Sequence, residues 1–309
     1  MKILMLGHSG VGKTTYMASM YGVLQTPVAG FSIRATRGDD HERLLKLYKE
    51  ILLGKYPKPS NQRDSYPLRL RYHNEDVLSF DWADYRGGAL VERASESAQA
   101  RALHADLQSA DAVLAFFDCS ELANGNRCLA EIRRMIVLLS GAVESIGHPL
   151  PLGLVLAKAD LVTELSNCKE PLQGLMESIR ASNHIIASLI PIACGYQSYA
   201  VELPALFALH FGLTQRVRRL GEQVDAMAAE RDKMRSNVDT FFDFAIDWID
   251  SKLSDQSTWG ELADAKHRDL LKEYDAMRAL QSSADQLAKH LRKSNCRLFG
   301  GARAKGAGE

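Results

Sequence analysis

Through the first two thirds of the 309-residue chain, short runs of consecutive apolar residues alternate with longer stretches in which apolar residues recur every three or four positions. The short runs predict buried strands and the longer stretches predict amphipathic helices. Strands are expected at residues 3–6, 31–35, 66–72, 77–82, 113–117, 152–156 and 189–192. Helices are expected at about 13–24, 41–53, 93–108, 129–145 and 171–187. Strands separated by helices make an α/β domain with a mostly parallel sheet.

The last third has a different period. Apolar or small residues recur at alternating spacings of four and three from Leu213 through Val217, Leu220 and Val224 to Trp248, interrupted at Arg231. A break at 254–260 precedes a second seam from Leu270 through Met277, Leu280, Ala284 and Leu287 to Leu291, with Glu273 as its polar exception. Two heptad seams with a short connection predict an antiparallel helical hairpin. The expected organisation is the α/β domain over 1–211, the hairpin over 212–295 and a flexible tail over 296–309, rich in glycine, alanine and charge.

Composition narrows the class. Lysine plus arginine equals aspartate plus glutamate at 38 each, so no bulk charge points to nucleic acid or an anionic membrane. Lys289, Arg292, Lys293, Arg297, Arg303 and Lys305 make the C-terminal end locally basic, which reads as a solvated tail. Five cysteines at long spacings, with no CxxC pair, suggest reduced thiols rather than a zinc site or a disulfide framework. The longest apolar run, 112–117, is a strand length, and the apolar start at 1–6 is too short for a signal peptide. A cytoplasmic protein is expected.

The chemistry begins at Gly7-His8-Ser9-Gly10-Val11-Gly12-Lys13-Thr14, a complete phosphate-binding loop between a strand and a helix. Glycines let backbone amides approach phosphate oxygens, and the helix start aims unpaired N–H groups at the anion. Lys13 is expected on the β- and γ-phosphates and the Thr14 hydroxyl on Mg²⁺, with Thr15 completing the loop's contacts. At the end of strand 77–82, Asp84 is placed to hold Mg²⁺ and Gly87 to offer its amide to the γ-phosphate; Asp81 competes but lacks a glycine three residues on. Beyond strand 152–156, Lys158 and Asp160 form Lys-x-Asp. A carboxylate there accepts both guanine N1–H and N2–H₂, donors that adenine lacks, and the lysine stem lies along the base. The backbone at Cys194, after a further apolar strand, closes over the base.

Loops in this order resemble those of the Ras-like, TRAFAC-class P-loop GTPases over roughly residues 1–211. The wording of residues 82–88, Trp-Ala-Asp-Tyr-Arg-Gly-Gly, is similar to bacterial double-GTPase-like proteins. That resemblance implies a Ras-like domain, guanine nucleotide (GTP or GDP) with Mg²⁺, and a place in a multi-gene conflict or signalling system. Two departures stand out. Ala157 replaces the asparagine or threonine that opens the family's base-reading motif, and Gly88 replaces the glutamine that orients the attacking water. Slow intrinsic hydrolysis is expected, with Lys13 and Arg86 as candidate catalytic cations and Arg93 nearby. The family's switch threonine has candidates in Thr26, Thr36 and Ser60. Ser60, in a proline-stiffened loop, is favoured as a Mg²⁺ ligand. Three readings follow: a GTP-binding switch, an ATPase of the same superfamily, and a nucleotide-stabilised scaffold whose C-terminal helices bind a partner or a second copy. A dynamin-type membrane role has the helical stalk but no apolar tip.

Overall fold

The computed structural model describes residues 1–58, 64–84, 105–107, 109–124, 130, 133–137, 139, 149–229, 265–294, 296 and 298–300. Its strands are β1 (Lys2–Leu6), β2 (Phe31–Ala35), β3 (Asp64–Tyr72), β4 (Glu75–Asp84), β5 (Ala112–Asp118), β6 (Leu150–Ala157), β7 (Ile185–Pro191) and β8 (Leu298–Phe299). Its helices are α1 (Lys13–Val23), α2 (Gly38–Leu52), α3 (Cys119–Asn124), α4 (Gln173–Ala181), α5 (Leu203–Ala229) and α6 (Ala265–Lys293). The described strands form one eight-stranded sheet in the order β2-β3-β4-β1-β5-β6-β7-β8. The central pairings β4-β1, β1-β5, β5-β6 and β6-β7 are parallel, and the outer ones are antiparallel. This is the expected α/β fold with a mostly parallel sheet, followed by long helices.

Burial explains which strands are central. Every residue of β5 and β6 is buried, as continuous apolar runs covered on both faces should be. The outer strands alternate instead: β2 reads buried, half-buried, buried, exposed, buried. Strands β3 and β4 turn back on each other at His73 and Asn74, whose φ values are 46° and 70°, the left-handed pair of a tight two-residue hairpin. Helix α2 is seated on α1 by a close fit: a Cβ on Gly22 would come within 2.1 Å of the Tyr48 ring. A 2.6 Å hydrogen bond joins Tyr21 Oη to His41 Nδ1, and the same hydroxyl accepts from the Ala35 amide at 3.1 Å. Helices α1 and α2 and strand β2 are thereby tied at one point.

Two expected elements differ. The helix expected over 171–187 stops at Ala181, and Ile185 begins β7. Ser182 is already extended, and the apolar run beyond it fits the sheet better than a helix end. Leu298 and Phe299, expected in the flexible tail, pair with Ser188 and Ala187 of β7. The chain divides into two compact units, residues 1–212 with 286–309, and residues 213–285. In the first unit, α5 opens on a turn buried all round, Ala205, Leu206, Phe207, Ala208 and Leu209 each at 0 % exposure, so the helix starts ten residues before the heptad seam. The second unit holds the rest of α5 and most of α6; the expected break at 254–260 lies outside the described residues. Among the described residues, no helix is long and apolar enough to cross a membrane.

Candidate functional site

The parallel strands β1, β4, β5, β6 and β7 all end on one edge of the sheet, where doubly wound folds bind ligands. Strand β1 delivers the loop 7–14 there. Gly7 is wedged: a Cβ would sit 2.9 Å from Val11 Cγ1 and 3.1 Å from the Phe116 carbonyl oxygen. Val11 is fully buried and anchors the loop, while Ser9 and Gly10 form its exposed crest. His8, buried beneath the crest, places Nδ1 2.9 Å from the Ser9 carbonyl oxygen. Gly12 precedes α1 at φ 103°, ψ 16°, a left-handed conformation unfavourable for a residue with a side chain.

The start of α1 is prepared for an anion. No side chain caps it and no acidic residue stands in its first turn, so its positive end and first N–H groups face the loop without a competing carboxylate. Lys13 arches back over the loop, its ammonium donating to the Gly7 carbonyl at 2.8 Å and approaching the His8 carbonyl at 3.4 Å, and it is only 8 % exposed. Thr14 and Thr15 lie half-buried in the same first turn. The loop therefore presents a cation, a helix end and hydroxyls from one backbone curve, which fits a polyphosphate.

Strand register ranks the two acidic candidates by position. Asp84 pairs with Met5, two residues before Gly7, whereas Asp81 pairs with Lys2 near the opposite end of β1. Ser60, Arg86, Gly87, Gly88 and Arg93 lie outside the described residues.

The far end of the site is assembled by side chains. Lys158 leaves β6 in a left-handed conformation, φ 57°, and starts the single turn Ala159–Leu161 that carries exposed Asp160. Its ammonium donates to the Gly10 carbonyl at 3.2 Å and to Asp118 Oδ2 at 2.5 Å. Asp118 ends β5, and its carboxylate is 3 % exposed. Its other oxygen accepts from the Ser120 amide at 2.9 Å and the Ser120 hydroxyl at 2.6 Å, with the Glu121 amide at 3.4 Å, capping α3. Burial works against the charged form, but the Lys158 and Ser120 hydrogen bonds and the Lys158 charge outweigh it and hold the carboxyl below its usual range. Asp118 lies beside Ala157 in the sheet.

The turn after β6 is tied to the end of β7 by Ala159 N donating to the Ile192 carbonyl at 3.0 Å. Half-buried Cys194 follows. Burial pushes its thiol up to about 12, Ser19 opposes and the Asp160 carboxylate adds to the rise, so at neutral pH it stays a protonated thiol. At Gly195, φ 143°, a Cβ would come 2.9 Å from the hydroxyl of exposed Tyr56, which reaches over from the segment after α2. Sequence reasoning passed over Asp118 and Tyr56. Asp118 carried a signal, a carboxylate closing an apolar strand with Asp-x-x-Glu opening a helix; for Tyr56 no local signal exists.

The family model described as Double-GTPase 2 matches residues 3–189. Among solved structures, the chain resembles the signal recognition particle receptor in the SRb-GTP/SRX complex from Chaetomium thermophilum at 16 % identity. That alignment covers 57 % of this chain and 79 % of that one, with a TM-score of 0.35. It also resembles the S. cerevisiae Ski7 GTPase-like domain, bound to GTP, at 14 % identity over 64 % of this chain and 43 % of that chain, with a TM-score of 0.38. No curated protein matches.

Proposed function

The chain belongs to the Double-GTPase 2 family, and from that premise we propose that it is a guanine-nucleotide-binding switch that hydrolyses GTP slowly by itself. The observation that carries the reading is the Lys158 ammonium, held by Asp118 and bonded to the Gly10 carbonyl of the phosphate loop. It spaces a base-reading turn against a phosphate cradle, as one ligand with a base at one end and phosphates at the other requires.

In this reading the loop 7–14 and Thr15 bind the phosphates, with Lys13 on the β- and γ-phosphates. Asp160 accepts the guanine N1–H and N2–H₂ donors, Lys158 lies along the base and the backbone at Cys194 closes over it. The Thr14 hydroxyl, Asp84 and Ser60 would hold Mg²⁺, which would supply neutralisation of phosphate charge. Asp84 and Gly87 report on the γ-phosphate. In hydrolysis the water oxygen bonds the γ-phosphorus and the bond to the β–γ bridging oxygen breaks. GDP keeps that electron pair, and dihydrogen phosphate leaves and sheds a proton to solvent. Lys13 and Arg86 stabilise the charge on the transferring group. Gly88 offers no side chain to orient the water, which supports a low intrinsic rate raised by a partner. The C-terminal helices are the surface for that partner or for a second copy, and the wording of residues 82–88 supports a bacterial signalling or conflict-type assembly.

Displacement of mant-GTP by GTP, GDP and ATP tests the reading. GTP and GDP should compete far better than ATP; equal competition by ATP would sink the guanine assignment in favour of the ATPase that Ala157 admits.

A further inference from the structure

The geometry points to Arg43 and Lys46 on helix α2 as the cations that recognise the terminal phosphate of the bound triphosphate. The inference rests on the nucleotide reading above and assigns its γ-phosphate contact to an element that no motif marks. A cavity of about 320 Å³ opens at the end of the phosphate loop, its lining including Thr14, Arg43, Lys46, Leu47, Glu50 and Lys58.

Residues 43, 46, 47 and 50 follow the i, i+3, i+4, i+7 spacing and so form one face of α2. Three of the four are charged; Arg43 and Lys46 are exposed, and Leu47 and Glu50 are half-buried. The apolar duty is done elsewhere on the helix. Leu44 and Ile51 are buried, and Tyr48 packs its ring against Gly22 of α1. The helix thus docks by one stripe and lines the cavity with another. Among the described residues that line the cavity, Arg43, Lys46 and Lys58 are basic and Glu50 is acidic, beside Thr14 and a helix end with no acidic residue in its first turn. Those features converge on one ligand chemistry, the oxygens of a phosphate.

The stretch of helix that carries the cations is also held in place. The Tyr21–His41 hydrogen bond fixes the start of α2, and the Gly22–Tyr48 fit fixes its middle, so Arg43 and Lys46 lie between two anchors. The Arg43 guanidinium lies over the Tyr66 ring, 5.7 Å from its centroid, on strand β3. Charge positioned before the ligand arrives needs no reorganisation as negative charge builds on the transferring group. Helix α2 therefore supplies charge stabilisation in cis, not the water-orienting side chain that Gly88 lacks.

The test compares mant-GTP and mant-GDP affinities and single-turnover GTP hydrolysis in the full chain, the Arg43→Ala/Lys46→Ala double variant and the milder Arg43→Gln/Lys46→Gln. The double variant should weaken mant-GTP by about tenfold, leave mant-GDP within about twofold and slow hydrolysis by about tenfold. The glutamine variant should behave alike while melting as the wild type does, which separates lost charge from lost packing. An unchanged GTP/GDP affinity ratio in either folded variant overturns the assignment. So does inorganic phosphate binding to the GDP-loaded protein that the variants abolish without changing that ratio, because the cavity would then serve a separate anion. If the wild-type chain fails to bind mant-GTP, the nucleotide reading falls and this one with it; normal binding with an unchanged ratio overturns this one alone.

Discussion

The two ends of the site are built in opposite ways. At the phosphate end, backbone does the work: Gly7 wedged between Val11 and Phe116, Gly12 in a left-handed turn and an uncapped helix start within eight consecutive residues. At the end we propose for the base, side chains from separate strands do it: Asp118 from β5 holds Lys158 from β6, which reaches Gly10 of the loop after β1. A backbone-built cradle tolerates little change in sequence, because the curve itself is the ligand-binding feature. A side-chain-built subsite can be reached by different residues, provided the same atoms meet. Ala157 illustrates this: it offers no polar group, and a carboxylate on the neighbouring strand makes the polar contacts that fix the turn.

The contrast can be broken most sharply at Lys13. Lys13→Ala should weaken mant-GTP and mant-GDP alike by about a thousandfold in equilibrium titration, since Lys13 is the one lysine or arginine in the loop 7–14. Retained affinity would mean the loop does not cradle phosphate. Next comes Asp160→Asn, which should lower GTP affinity by about a hundredfold and let xanthosine triphosphate outcompete GTP; an unaltered base preference would move base recognition elsewhere. Asp118→Ala should speed release of GTP and GDP equally, by about tenfold in stopped-flow chase experiments. An effect on GTP alone would place Asp118 at the phosphate end and erase the contrast.

The smallest effect is on stability and depends on pH. The Asp118 carboxyl titrates lower in the folded chain than when unfolded, so its contribution is complete above its ordinary value and is lost as pH falls through the folded one. Asp118→Asn should therefore melt about 3 °C below the wild type at pH 7. The gap should start to narrow only below about pH 4 and close as pH falls through the lower folded value. A gap that persists in acid would show that packing, not charge, holds Lys158.

The same contrast explains what could be read from sequence. The phosphate loop is contiguous and its physics is local, so the order of its residues was sufficient to place it. The resemblance to double-GTPase-like proteins, carried by the loops, agrees with the family that matches residues 3–189. Central strands such as β5 were legible because burial on both faces leaves an unbroken apolar run. Asp118 was not recognised because its partner stands forty residues away and only the sheet brings them together. The helix expected to end at 187 ran into β7 because Ile185, Ile186 and Ala187 suit either period, and neighbouring strands decided. The first turns of α5 escaped the heptad reading because a helix buried all round has no polar face to set a period.

Strand β8 has a consequence for solubility. Strand β7 carries Ile-Ile-Ala-Ser-Leu-Ile-Pro, an aliphatic run of the sort that recruits other strands when its hydrogen-bonding side lies bare. Leu298 and Phe299 cover it at Ala187 and Ser188. Two residues thus act as a selvedge on the sheet, and a chain cut before Leu298 would offer that strip to its neighbours, making aggregation in concentrated solution the first symptom of the loss.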